Sequence, residues 1–143
     1  MAKSRRTVFI SSAASDALVA RELATQLQAA GVDTWNATTE ALPGANLSAE
    51  LGRALDRADA LIVLISPAAV KSSMVLHEIQ FALGQEKLQD RLIPVMVKQT
   101  PTDDIPWILR TLQWAKGGAD KVTDQVLKAL DAPKRREARA AAR

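Results

Sequence analysis

The chain has 143 residues, 48% of them hydrophobic, which suits one globular domain whose core is mostly aliphatic, since Phe9, Trp35, Phe81, Trp107 and Trp114 are its only aromatics. It has no cysteine, which excludes disulfides, thiolate metal sites and cysteine catalysis, and one histidine, His77, which allows a Ser-His-Asp triad only if built on that residue. The formal charge of +3 belongs to the ends: Lys3, Arg5 and Arg6 contribute +3 and residues 134–143 contribute +4, leaving −4 over residues 7–133, the opposite of the basic folded face that specific nucleic-acid binding needs.

Strand-like and helix-like segments alternate. Residues 7–12 predict a short apolar strand. Ser15 or Asp16 is placed to cap a helix carrying Leu18, Val19, Leu23 and Leu27 on one side and closed by Gly31. Residues 32–35 predict a second strand and 36–46 a loop holding the turn pair Pro43-Gly44. Asn46 or Ser48 opens a helix with Leu47, Leu51, Ala54, Leu55 and Ala58 at helical spacing. Residues 60–65 are apolar throughout, the pattern of a strand buried on both faces of a parallel sheet, and Ser66-Pro67 stops them. A helix over about 72–83 follows, closed by Gly84. Residues 91–97 predict a fourth strand, and Pro94 within it favours a sheet edge or a bulge. A polar loop, a short helix over 105–112, a short last strand over 113–115 and a final helix over 119–130 complete the order.

Repeated β-α units imply a parallel sheet covered by helices on both faces, a three-layer, flavodoxin-like α/β sandwich of four or five strands in the order 2-1-3-4-5. Residues 7–131 form the domain, flanked by a basic N-terminal tail over 1–6 and a charged tail or linker over 132–143. A ligand is expected where the strand order reverses, between residues 12–16 and 66–78, with the segment after Trp35 alongside. No apolar run approaches the roughly 20 residues of a membrane span and no h-region follows the basic start, so the expectation is a cytoplasmic protein with no membrane partner.

The loop after the first strand lacks both glycine-rich phosphate motifs, which disfavours a Rossmann dehydrogenase or a P-loop nucleotidase. It offers Ser11, Ser12 and Ser15 before a helix start, so Ser15 is either an anion contact or simply an N-cap. A two-component receiver needs a phosphorylatable aspartate at the end of the third strand, where this chain has Ser66. The carboxylates show no metal-ligand spacing. Glu78, entering a helix at the sheet edge, is either a site carboxylate or an ordinary glutamate on a solvated helix face.

The order of these segments resembles a TIR domain. Phe9-Ile10-Ser11 with Asp16, residues 32–35, Leu42-Pro43-Gly44 with Leu47, residues 61–67, Ser72-x-Met74-x-x-x-Glu78 and Ile93-Pro94-Val95 fall in the order of the family's motifs and cover nearly the whole fold. The resemblance implies a bacterial-type member of the NAD⁺-cleaving branch acting in bacterial immunity, with a non-catalytic signalling scaffold as the alternative. In the enzymatic branch, NAD⁺ is substrate rather than cofactor, the nicotinamide–ribose bond is cleaved, and self-assembly activates the domain, often in bacterial or plant immunity. In the signalling branch the domain is a scaffold acting through homotypic contact. By the same resemblance Glu78 is the catalytic glutamate. Ser12, Ala13 and Ala14 line the nucleotide site through their backbone, and Trp35 either walls it or fills core. Thr39 and Glu40 meet ligand or a neighbouring subunit, and Ser72 caps the helix of Glu78 beside the site. The implied partners are NAD⁺, other TIR domains in an oligomer or filament, and a fused or separate sensor.

The chain departs from the family at three places. Ser12 stands where an aromatic is usual, Ala37 where an acidic residue is usual, and Met74 where the enzymatic branch has tryptophan, exchanging a flat stacking surface for a polarizable apolar one. His77, about 100° around the helix from Glu78, reads as a surface or packing residue. A small nucleoside-processing enzyme of similar α/β shape is a third candidate, less suited to the Pro43-Gly44 loop.

Overall fold

The computed structural model describes residues 6–40, 44 and 46–131. Four strands, β1 (Thr7–Ser11), β2 (Asp33–Trp35), β3 (Ala60–Ile65) and β4 (Leu92–Met96), form one parallel sheet in the order β2-β1-β3-β4. The expected fifth strand is reduced to a single parallel bridge, Ala115 to Val95. Within residues 113–115 only the Ala115 N–H finds a strand partner, the carbonyl of Pro94 at 3.0 Å. Pro94 thus lies on the edge strand, where its missing N–H removes no essential ladder bond.

The period-2 alternation of the strands sorts the core into two halves. Phe9, Leu61, Val63 and Ile65 point to one face. There they meet Leu55 of α3 (Leu47–Arg57), Val75 and Ile79 of α4 (Ser73–Leu83), Leu88 of α5 (Glu86–Gln89) and Leu109 of α6 (Trp107–Arg110). Val8, Ile10, Ile62 and Leu64 point to the other face, against Leu23 and Leu27 of α1 (Ala17–Ala29) and Val122 and Val126 of α7 (Ala119–Asp131). Every residue of β3 is buried, as its unbroken apolar run requires.

Several local expectations are corrected. Leu18, assigned to the apolar side of α1, is 78% exposed, because the stripe that meets the sheet is Ala20, Leu23 and Leu27. The stretch 36–46 opens with a one-turn helix, α2 (Ala37–Glu40), rather than a continuous loop. It starts after Asn36, whose Oδ1 accepts the Thr38 N–H at 3.0 Å. The helix expected over 105–112 shortens to α6. Asn46 is the cap of α3, accepting the Ala49 N–H at 3.1 Å. Pro43 and most of the two tails lie outside the described residues; Arg6 of the N-terminal tail is described and pairs with Asp131 at 3.1 Å.

Candidate functional site

Three polar groups meet at the C-terminal edge of the sheet, where the strand order reverses between β1 and β3. The first is built on α4. Ser72 caps that helix, its Oγ accepting the Val75 N–H at 3.2 Å. From that start, Val75, Glu78, Ile79 and Ala82 fall at i, i+3, i+4 and i+7, one buried face. Glu78 therefore points into the fold and is 3% exposed, not on a solvated face. Ser11, the last residue of β1, donates its hydroxyl to Glu78 Oε1 at 2.7 Å. Oε2 is buried with no hydrogen-bond partner among the described residues. Burial pushes the Glu78 pKa up from its ordinary 4.5 to about 7, with the Ser11 hydroxyl pulling the other way.

The second group closes the other side of the edge. Asp16, 1% exposed, accepts the Ser66 hydroxyl on Oδ2 at 2.5 Å and pairs through Oδ1 with Lys98 Nζ at 3.2 Å. It occupies the cap position of α1, but its side chain caps nothing, since Ser66 and Lys98 hold it instead. The third group is Asn36 at the end of β2. Its Nδ2 donates to the Ile10 carbonyl at 2.5 Å and to Ser12 Oγ at 2.9 Å, tying the ends of β1 and β2 together. Among the described residues no group of three His, Cys, Asp or Glu side chains could hold a metal.

The TIR domain family model matches residues 8–130. The chain belongs to the TIR domain family. Its fold is that of solved TIR domains. It aligns with the TIR domain of the Toll-related receptor TRR-2 from Hydra magnipapillata at TM-score 0.71 and 20% identity, over 87% of this chain and 98% of that one. A metazoan TIR-STING receptor from C. gigas aligns at TM-score 0.72 and 28% identity, over 88% of this chain and 39% of that one. The TIR domains of the activated Roq1 resistosome align at TM-score 0.62 and 20% identity, over 86% and 98%. No curated protein matches the chain.

Within the TIR domain, the sequence-derived site residues do not all converge. Glu78, buried Ser12 and Ala13 and half-buried Ser72 lie on segments that meet at the sheet edge, and Ala14 is exposed at the start of the 3-10 turn that leads into α1. Trp35 is half-buried and tilts against Phe9 with ring centroids 5.3 Å apart, so it fills core. Met74 is half-buried one turn before Glu78, and His77 is exposed. Thr39 and Glu40 lie on α2, and their side chains fall outside the described residues. A cavity of about 740 Å³ sits elsewhere, between the outer side of β4, α6 and α7, lined by Leu92, Ile108 and Trp114 and not by Glu78. Sequence reasoning gave no site role to Ser66, Lys98 or Asn36 and no carboxylate contact to Ser11. The signal for Glu78 was present: a glutamate inside an i, i+3, i+4, i+7 apolar stripe.

Proposed function

We propose that this TIR domain cleaves the nicotinamide–ribose bond of NAD⁺, giving nicotinamide and ADP-ribose or a cyclic ADP-ribose product. The observation that carries this reading is Glu78: a buried carboxylate at the sheet's C-terminal edge with one oxygen held and the other without a hydrogen-bond partner among the described residues. Buried polar groups are normally satisfied, and a perturbed carboxyl in such a place marks a candidate working group. The nicotinamide of NAD⁺ is already a pyridinium. The C1′–N bond breaks with its electron pair passing to the ring nitrogen, so no general acid is needed. The positive charge then left on the ribose is oxocarbenium-like, as in glycoside hydrolysis. The ionised Glu78 stabilises that charge and orients the ribose hydroxyls. Water attacking C1′ and losing a proton gives ADP-ribose; a nucleophile of the same molecule gives the ring.

Glu78 is almost fully covered in the single chain, so the substrate reaches it only when neighbouring segments shift. This favours activation by assembly with other TIR domains, triggered by a fused or separate sensor. Separate exposed apolar residues, Leu18 on α1 and Trp107 on α6, 78% and 68% accessible, are available to such contacts. The Roq1 TIR domains belong to an activated resistosome, and an immune role of the same general kind is the corresponding proposal here. A non-catalytic scaffold would share the assembly and differ at Glu78.

The test is NAD⁺ consumption by concentrated protein beside Glu78→Gln, with products separated by chromatography. Nicotinamide release that falls at least 100-fold in the variant is the expected result. Turnover surviving in the variant would refute the role of Glu78. No turnover by the unaltered protein, even with a crowding agent that forces assembly, would leave the scaffold.

A further inference from the structure

Ser11 is fully buried at the end of β1, and its side chain lies on the same sheet face as Phe9, beneath α4. It and Glu78 are 67 residues apart in the chain, yet their side chains meet at 2.7 Å. The contact is unsymmetrical. Oε1 is fixed by the hydroxyl, whereas Oε2 has no partner among the described residues. A carboxylate held through one oxygen loses most of its rotational freedom, and the other oxygen is presented in one direction.

Among the described residues no ionic group does this work. On the elements packed against α4, β1 and β3 carry no ionisable side chain, the turn Ala69–Lys71 brings exposed Lys71, and α5 brings exposed Glu86 and half-buried Lys87. Lys87 is engaged by the Asp56 carbonyl. His77, on α4 itself, is exposed, as are Arg53, Asp56 and Arg57 of α3 and Arg110 of α6, while Glu50 of α3 is half-buried. Asp16 is taken by Ser66 and Lys98. The balance on Glu78 is therefore burial against a single hydroxyl.

We propose that Ser11 is a positioning residue for Glu78: its hydroxyl fixes Oε1 and leaves Oε2 as the oxygen that meets the ribose. This rests on the reading of Glu78 as the catalytic carboxylate. A hydrogen bond to the charged form also keeps the carboxylate ionised at lower pH than burial alone would allow.

The experiment is a carbon-13 NMR titration of the Glu78 side-chain carboxyl, identified by its loss in Glu78→Gln, in the unaltered protein, Ser11→Ala and Ser11→Thr. It is paired with the pH profile of kcat/KM for NAD⁺ cleavage. Expected is a midpoint near 7 in the unaltered protein and one about one unit higher in Ser11→Ala, the size a charge-assisted hydrogen bond supports. The acid limb of the pH profile moves with it, and because the ionised carboxylate is no longer held through Oε1 the alkaline plateau falls as well, so that Ser11→Ala is slower at every pH and about a further tenfold slower below pH 7. Ser11→Thr, which keeps the hydroxyl, restores both. A midpoint unchanged in Ser11→Ala, or displaced equally in Ser11→Thr, overturns the proposal. So does a lowered plateau with no displacement, because lost packing alone would produce it. Should the unaltered protein release no nicotinamide at any pH, or Glu78→Gln still turn over, the catalytic reading fails and the ribose contact with it. The carboxyl titration needs no turnover and would still tell whether Ser11 holds Glu78.

Discussion

At the residue scale, Glu78 is costly to the fold. Its carboxyl is pushed from 4.5 to about 7 chiefly by burial, so the folded chain binds a proton there more tightly than the unfolded chain does. Stability contributed by the protonated form is then present below about pH 4.5 and is lost as pH rises through 7. A rise of that size corresponds to on the order of 3 kcal/mol. Glu78→Gln removes the charge while keeping an acceptor for Ser11. We expect it to be the more stable protein above pH 7, with the gap closing toward pH 5, as denaturant titrations at the two pH values will show. An unaltered protein that is the more stable at pH 8 would contradict a buried, half-satisfied carboxylate. For the proposed NAD⁺ cleavage, which needs the ionised form, turnover is expected to rise with pH through about 7, as a pH profile of kcat/KM will show.

At the element scale, α4 places Glu78 and Ser72 places α4. Ser72→Ala removes the cap of the Val75 N–H and is expected to cost about 1 kcal/mol of stability. It should lower activity more than stability if the first turn frays, since Glu78 follows that turn closely. Comparing loss of kcat/KM with the shift in denaturation midpoint checks this. β3 supplies the rigid floor. Ile62 and Leu64 are fully buried on the α1 side of the sheet, and Leu64→Ala is expected to cost about 2–5 kcal/mol, readable in the same denaturation experiment. Legibility differed sharply between elements. The apolar run of β3 and the helical stripe of α3 were readable because burial imposes a period. The single turn α2 was not, because its start depends on Asn36, whose amide is recruited by β1.

At the scale of the whole molecule, Asp16, Ser66 and Lys98 join the ends of β1, β3 and β4 across the sheet edge. Lys98→Met leaves the Asp16 carboxylate with one uncompensated oxygen. The expected loss is about 1–2 kcal/mol, less than the roughly 3–5 typical of a fully buried pair, because the Lys98 side chain is 56% exposed and screened by water. Thermal denaturation measures it, and salt should narrow the difference. Assembly gives a second expectation. If neighbouring chains uncover Glu78, specific activity rises with protein concentration instead of staying constant, and substitution of exposed Leu18 or Trp107 by a charged residue flattens that rise. Activity per molecule that is independent of concentration would mean the single chain opens on its own.

The sequence by itself determined the layered α/β architecture, the order of motifs that places the chain among TIR domains, and the helix carrying Glu78. Each is written locally, in a run of apolar residues, a cap or a period of 3.6 or 2. What tertiary structure alone decided is which polar side chains meet. Ser11 and Glu78 come together across 67 residues, and Ser66 and Asp16 across 50; no local pattern records such pairings. The same cause explains Leu18 and Trp35. Spacing says that a residue is apolar, but only the packed sheet says whether a partner waits for it: Leu18 finds none and Trp35 finds Phe9. Burial likewise turned Glu78 from a glutamate in a helix into a carboxyl titrating near neutrality, since the cost of charge depends on what surrounds it in space and not on what precedes it in the chain.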